Sequence, residues 1–453
     1  NAGEAFVVVN NYRQNDWQPY LYHTTDFGKK WTRLADAKKV NGFCLSVVQD
    51  PEVPNLLFLG TDQGLYVSFD AGENWMHWPS ETFPSVPVQD MRIQEREGDL
   101  AIATFGRGIW ILDDIRPLRE IAMSKGAIFE QNLKVFPAPT AVMAETRSFD
   151  GPRFAADATF SGQNKAPNLH LAVWIKPQAP KTGADKKAQE KKDDKNEKGK
   201  DEKKDKQEKI TVLIKSLQGD TLRTFKTKVD SCFNTVQWGY DTKGVRFPSN
   251  NEPDPEQGEP GGGPAVLPGD YKVLVMFGTW KDSTVVHIQA DPRINTNLAD
   301  VRAKRQATLD FYKTVERATK GYDRLKDAEK TIKLVESQFV NVPDSLKKSV
   351  LADGKSLQDS IQKIKERYFP QKEGKGIQRN PDNLLAYLWE ALVYINGGSG
   401  APTSNAKISI ARAEEGTNQV IQQINVLLDQ PWKSYKAKAE AIRYSLFKDF
   451  DKL

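Results

Sequence analysis

The chain has few of the residues that build cross-links and metal centres. Among its 453 residues there are two cysteines, Cys44 and Cys232, and four scattered histidines, His23, His77, His170 and His287. Two cysteines so far apart, in segments assigned below to different domains, exclude a disulfide framework and read as two buried free thiols. Single histidines have no zinc-ligand spacing, so no metal and no cofactor is expected. No apolar run approaches the roughly 20 residues that span a bilayer, which argues against a transmembrane protein. Charge of one sign is also scarce, with 65 basic against 60 acidic residues. Over half of the net excess of 5 lies in the 181–209 segment, which holds twelve lysines against nine acidic residues. Without a basic face interleaved with aromatics, nucleic acid is set aside as a partner.

What is present is ordinary in bulk, 38% hydrophobic and 28% charged, and the length predicts about three domains. The first 120 residues contain an internal repeat. Thr24-Thr25-Asp26-Phe27-Gly28-Lys29-Lys30-Trp31 recurs 44 residues later as Ser68-Phe69-Asp70-Ala71-Gly72-Glu73-Asn74-Trp75. The same offset carries Leu21-Tyr22 onto Leu65-Tyr66 and Ile109-Trp110, Gly64 onto Gly108, and Asn55-Leu56 onto Asp99-Leu100. Short strand signals at Leu45 to Gln49, Leu56 to Gly60, Leu65 to Ser68 and Trp75 to Trp78 make four strands per copy, the content of a propeller blade. In a tight turn the Ser/Thr hydroxyl and Asp carboxylate can accept backbone N–H bonds, Gly can take a positive φ, and Trp can pack between sheets. Thr24, Asp26, Gly28, Trp31, Ser68, Asp70, Gly72 and Trp75 are therefore expected to be structural. The third copy departs, with Leu112 and Asp114 where Ser68 and Asp70 stood and no Gly or Trp following.

The pattern Ser/Thr-x-Asp-x-Gly-x-x-Trp resembles the Asp-box, or BNR repeat, of sialidases and sortilin-type receptors. The segments Asn10 to Arg13, Asn55 to Thr61, Gly64 to Ser68 and Thr104 to Leu118 resemble the last blades of large bacterial exported proteins with sortilin-like repeats, which are often labelled glycosyl hydrolases. The resemblance implies an exported, periplasmic, cell-surface or extracellular protein in which residues 1–120 are the last blades of a β-propeller. Two or three blades alone leave sheet edges and apolar faces open, so Asn1 is expected to lie inside a larger protein, the other blades coming from upstream sequence or another chain.

Residues 121–295 are strand-like at His170 to Ile175, Ile210 to Ile214, Thr235 to Trp238, Tyr271 to Phe277 and Thr284 to Ile288, the pattern of an immunoglobulin-like or fibronectin-like β-sandwich. Two insertions interrupt it. The 181–209 segment, lacking aromatics and large aliphatics, is expected to be a solvated, disordered hairpin loop between the first two of these strands. The 248–268 segment, with six prolines and Gly261-Gly262-Gly263, is expected to be flexible or polyproline-like.

Residues 296–453 change to helical spacing: Phe311, Val315, Ala318, Tyr322, Leu325, Ile332, Val335, Phe339; then Leu357, Ile361, Ile364, Tyr368; then Leu385, Leu388, Leu392, Ile395. Stripes at Val420, Ile424, Leu427 and at Tyr435, Ala439, Ile442, Leu446, Phe450 complete the set. Breakers at Pro343, Pro370, Pro381, Gly397-Gly398, Pro402 and Pro431 divide them into about five helices of a bundle, with Thr403 as an N-cap. The expected fold is thus mainly β followed by α.

A glycosidase needs a pair of acid–base or nucleophilic groups beside the scissile bond. Arg107, between Gly106 and Gly108, is the one arginine placed like a strand end near a propeller channel, with Asp113 and Asp114 following. The three are candidate binding residues, or a structural ion pair where the chain leaves the repeats. No phosphate loop or Ser-His-Asp order is visible. The reading favoured is a non-catalytic, exported interaction protein with the propeller as platform for a protein or glycan ligand. The competing readings are a sialidase-like hydrolase with its catalytic residues in other blades, and a subunit or cargo of an outer-membrane export or uptake complex.

Overall fold

The structure, a computed structural model, describes residues 2–145, 165–177, 208–252, 258–339, 342–369, 383–398 and 400–442. It divides into two compact units. One comprises Asn1–Gly239 with Pro268–Gln289, the other Tyr240–Leu267 with Ala290–Leu453. The first is β-rich and made of small antiparallel sheets; the second is mainly helical. Among the described residues no helix is long and apolar enough to cross a membrane.

Three sheets come from the repeats. β1 (Ala5–Asn11), β2 (Asp16–Thr24) and β3 (Thr32–Ala35) form the first. The second is four-stranded, β4 (Cys44–Gln49), β5 (Leu57–Thr61), β6 (Gly64–Ser68) and β7 (Met76–His77) in sequence order. The third comprises β8 (Val88–Gln94), β9 (Asp99–Thr104) and β10 (Ile109–Leu112). Every pairing is antiparallel. Strand side chains alternate between faces, and that alternation stacks the sheets in a row. Phe6, Val8, Leu21 and Ala35 of the first sheet pack with Cys44, Leu59 and Tyr66 of the second. On the other face of the second sheet Phe58, Leu65 and Val67 join Val88, Met91, Leu100 and Ile102 of the third. After β10 the chain turns into the helix α1 (Arg116–Met123) instead of a fourth strand.

The rest of this unit is two sheets. β11 (Leu133–Val135), β13 (Leu169–Ile175) and β16 (Cys232–Trp238) form one, in the order β11-β13-β16. β12 (Ala141–Met143), β14 (Lys209–Ser216), β15 (Thr221–Lys228), β17 (Gly269–Phe277) and β18 (Trp280–Ala290) form the other, in the order β12-β18-β17-β14-β15. Alternate positions such as Leu169, Leu171 and Val173, or Ile210, Val212 and Ile214, are buried. β13 and β14 belong to different sheets, so the segment joining them is not a hairpin loop as the sequence reading had it. The pattern of apolar residues marks strands but carries no information on which strands pair. The 181–209 insertion itself lies outside the described residues except at its last two positions. Both cysteines are free, but only Cys44 is buried; Cys232, at the start of β16, is exposed, which corrects the expectation of two buried thiols.

The helical unit contains α2 (Leu298–Gln338), α3 (Asp344–Glu366), α4 (Leu384–Asn396) and α5 (Ser404–Glu440). Asn297, Asn383 and Thr403 cap α2, α4 and α5 by accepting backbone N–H bonds from Ala299, Ala386 and Ala406, satisfying donors that a helix start leaves unpaired. The expected stripes meet in one core that includes Phe311, Val315, Tyr322, Ile361, Leu388, Val420, Ile424 and Tyr435. Pro431 does not divide two helices, since α5 runs through it. Proline removes one intrahelical bond, but Leu427 and Tyr435 on either side are both buried in the core, and their burial outweighs that loss. Pro370, Pro381, Leu446 and Phe450 lie outside the described residues.

The proline- and glycine-rich segment is the main departure. The sequence reading placed 248–268 as a flexible loop within a middle domain running to residue 295. The described parts of Tyr240–Leu267 instead group with the helices and form a strap held by both arms. Thr242 and Val266 donate backbone bonds to Pro264 and Tyr240, and Gly244 donates to Pro260. Along α2, Arg246 pairs with Asp323, the Tyr322 hydroxyl bonds Asn250, and the Tyr312 hydroxyl donates to the Gly262 carbonyl at 2.6 Å. Phe247 stacks on Trp389 of α4 with centroids 4.3 Å apart. At Gly263 a Cβ would collide with the carbonyls of Thr242 and Lys243, so glycine is required by the close approach of the two arms.

Candidate functional site

The repeat sheets present two ends with different chemistry. At the end where β2 runs into β3, and β6 into β7, stand the two repeated turns. Thr24 Oγ1 donates to Asp26 Oδ1 at 2.8 Å and accepts from the Gly28 amide at 3.1 Å, while the Lys30 amide donates to Asp26 Oδ1 at 2.9 Å. The second turn repeats the network atom for atom: Ser68 Oγ to Asp70 Oδ1 at 2.8 Å, the Gly72 amide to Ser68 Oγ at 2.8 Å, and the Asn74 amide to Asp70 Oδ1 at 2.8 Å. Phe27 and Gly28 in one turn, and Ala71 and Gly72 in the other, all have positive φ, the backbone that glycine adopts most cheaply.

These bonds account for the electrostatics of both aspartates. The Lys30 amide and then the Thr24 hydroxyl hold the Asp26 carboxyl below its ordinary value of 3.8. Partial burial pushes the Asp70 carboxyl up, but the Asn74 amides and the Ser68 hydroxyl reverse that and leave it below 3.8 as well. Asp70 also accepts a bond from the Asn74 side chain on its second oxygen, at 2.7 Å. Trp75 Nε1 donates to the Leu34 carbonyl of the first sheet at 3.1 Å, whereas Trp31 is 41% exposed. A cleft of about 560 Å³ beside the second turn is lined by Asp70, Glu73, Lys125 and Phe129, among others. The Asp70 carboxylate is held in the ionised form by the turn, so it is a poor proton donor there.

At the opposite end are three hairpin tips: residues 12–15 between β1 and β2, Asp62-Gln63 between β5 and β6, and residues 105–108 between β9 and β10. The tips are fastened to adjoining segments, the first through Tyr12 stacked on Phe43. The Phe43 amide donates to Asp62 Oδ1 at 2.9 Å, Ser46 Oγ to the Val88 carbonyl at 3.0 Å, and the Phe105 amide to the Pro87 carbonyl at 2.9 Å. Arg107 stands exposed on the third tip and makes no ion pair among the described residues. Asp113 and Asp114 lie beyond the far end of β10, so about 20 Å of extended strand separates them from Arg107.

The structure therefore does not bring the three candidates together. Asp113 is exposed. Asp114 pairs with Arg116 at 2.5 Å, and its amide donates to Asp99 at 2.9 Å. A second ion pair fastens the same exit: buried Arg119 of α1 reaches buried Asp50 at 2.9 Å and Glu52 at 2.6 Å. Asp50 in turn accepts the Glu52 and Val53 amides. Sequence reasoning missed Arg119 and Asp50 because they are 69 residues apart and neither belongs to the repeated motif. It also missed the aromatic content of the first tip, where Tyr12 and Trp17 flank Phe43; two aromatics in the Tyr12 to Trp17 segment were the available signal. Among the described residues no group of three or more His, Cys, Asp or Glu side chains is placed to hold a metal ion. Comparison with known protein families and with curated proteins finds no match for the chain.

Proposed function

We propose that this chain is part of an exported, non-catalytic binding protein in which the three repeat sheets are the last blades of an Asp-box β-propeller serving as platform. In this reading the two following sheets are an immunoglobulin- or fibronectin-like sandwich acting as spacer, and the helical unit is a docking or assembly module. One observation carries it: positions equivalent by the 44-residue repeat differ in whether a following sheet covers them. Leu21 and Leu65 are 0% and 1% exposed against the next sheet, while Ile109 at the same place in the third sheet is 76% exposed. An uncovered apolar position of this kind fits a further sheet of the same repeat. On the outer face of the first sheet Val7 and Val9 are likewise exposed, at 39% and 44%. The aspartates of the boxes are committed to turn backbone, which supports a binding rather than a hydrolytic role.

The test is made on the protein together with whatever blades complete it. Fluorogenic sialosides and aryl glycosides are expected to be left intact, and the outer faces of the first and third sheets are expected to be protected from hydrogen exchange. Hydrolysis of a sialoside would overturn the non-catalytic part of the reading. Fast exchange of the β10 amides in that complete protein would overturn the propeller.

A further inference from the structure

The first hairpin tip holds an arrangement that neither the repeat nor the platform reading requires. Tyr12 lies on Phe43 with ring centroids 5.0 Å apart and planes 20° from parallel. Trp17 leans on the same Phe43 at 5.7 Å with a 54° tilt. Phe43 is a buried floor at 9% exposure, while Tyr12 and Trp17 are 37% and 54% exposed. The rings are held in place. Trp17 Nε1 donates to Asn15 Oδ1 at 3.1 Å, and the Phe43 backbone is pinned on both sides by Asp62, which accepts its amide and donates to its carbonyl. Asn15 itself sits in the left-handed region at φ 59°, a conformation that asparagine tolerates and that fixes the turn.

Large aromatic surface left open on a rigid tip is costly unless something covers it. Its position argues against another sheet as the cover. Along β2 the alternation puts Trp17 on the same side as Leu21, which faces the second sheet, and opposite Tyr20 and Tyr22 on the outer face. The polar groups nearby carry no net positive charge: Arg13 over the Tyr12 ring at 5.8 Å, Asp16 bonded to Tyr20, Gln18 and Asn11, Asp62 on the Phe43 backbone, and exposed Gln14 and Asn41. One arginine beside two aspartates is not the cationic groove that a nucleic-acid backbone needs.

We propose that Tyr12, Trp17 and Phe43 form a binding site for a glycan chain, with a pyranose ring stacked on the exposed face of Trp17. A pyranose offers an apolar C–H face and a rim of hydroxyls, which matches an aromatic surface edged by Arg13, Asn15 and Asn41 as donors and acceptors. The site binds and does not cleave. Its three rings come from the first hairpin and from the segment that leads into β4.

The test is affinity electrophoresis of the intact chain through gels containing hydroxyethyl cellulose, xyloglucan, laminarin or glycol chitin, run beside polygalacturonate and a decaproline conjugate. Retardation by at least one of the four neutral polysaccharides is expected. In that gel Trp17→Ala weakens binding about tenfold or more, as loss of a central aromatic anchor does, Trp17→Phe restores part of it, and Phe105→Ala on the third tip leaves it unchanged. Thermal unfolding and circular dichroism of Trp17→Phe and Trp17→Ala separate lost binding from lost folding. Absence of retardation in all four neutral gels, equal retardation of folded Trp17→Ala, or binding confined to decaproline or polygalacturonate overturns the proposal.

Discussion

The second and third repeat sheets are built on one pattern, yet the second buries both faces and the third only one. Leu65 of β6 is packed among Val67, Met91 and Leu100, and Ile109 of β10, at the equivalent place, stands 76% exposed. The residue type is the same in kind, and the two positions are equivalent by the 44-residue repeat. What differs is the neighbour, and the hydrophobic contribution follows area removed from water and not the identity of the side chain. The helical unit makes the contrast sharper. Its stripes close on themselves in one core, and a strap from outside the helical sequence covers part of α2. One region keeps apolar ends open, the other uses its own chain to cover an open side.

Four substitutions probe that difference. The largest effect is expected at Leu65. Leu65→Ala should lower unfolding free energy by about 2–5 kcal/mol, the range for a buried leucine, while Ile109→Ala stays within about 0.5 kcal/mol in the chain by itself. Chemical denaturation of both variants measures this, and equal losses would mean that Ile109 is already covered. Addition of a following sheet should raise the cost of Ile109→Ala toward that of Leu65→Ala.

Next is the strap. Gly263→Ala forces the two arms apart and should cost about 1–3 kcal/mol, as overpacking at a tight contact does. Hydrogen exchange should show the loss confined to the helical unit, with amides of the strap and of α2 around Tyr312 and Tyr322 exchanging faster. Unchanged exchange there would mean that the strap contributes nothing to α2. Burial pushes the Tyr322 hydroxyl up to about 12, so its ultraviolet titration should also move back toward 10 in the same variant.

The smallest effect belongs to the repeated turns. Asp26 and Asp70 both titrate below 3.8 in the folded chain. Their contribution is therefore complete at pH values well above 3.8 and is lost as the pH falls through the lower folded-state values. Asp70→Ala should lose about 1 kcal/mol at pH 7, and the gap between it and the parent should close on acidification below 3.8. A gap that persists unchanged at pH 2 would mean that the aspartate acts through shape and not through its charge.

Much of the fold was legible in the sequence because the signals involved are local. The four strands around Asp70 follow from alternating residues between turn-formers, and the turns around Asp26 and Asp70 follow from hydroxyl, carboxylate and glycine at fixed offsets. Helices α2 to α5 follow from stripes at three- and four-residue spacing, and Thr403 caps α5 as its position implies. The candidate site was less legible. Arg107 was singled out with Asp113 and Asp114, but a strand of intervening length carries them to opposite ends. Arg119 and Asp50 carried no motif, and the ring stack of Tyr12, Trp17 and Phe43 needs a contact between two sheets. The strap was read as flexible since prolines and glycines remove local order, and its order comes instead from carbonyls and side chains that meet α2.

The sequence by itself determined the 44-residue period, the strands, the repeated turns and the helical stripes, each of which depends on residues within a turn or a strand of one another. The tertiary structure alone decided that Leu65 is buried and Ile109 is not, that β13 and β14 join different sheets, that α5 continues through Pro431, and that Tyr240–Leu267 lies along α2. These outcomes rest on burial and hydrogen bonding between distant segments, and such energies exist only once the chain has brought the partners together.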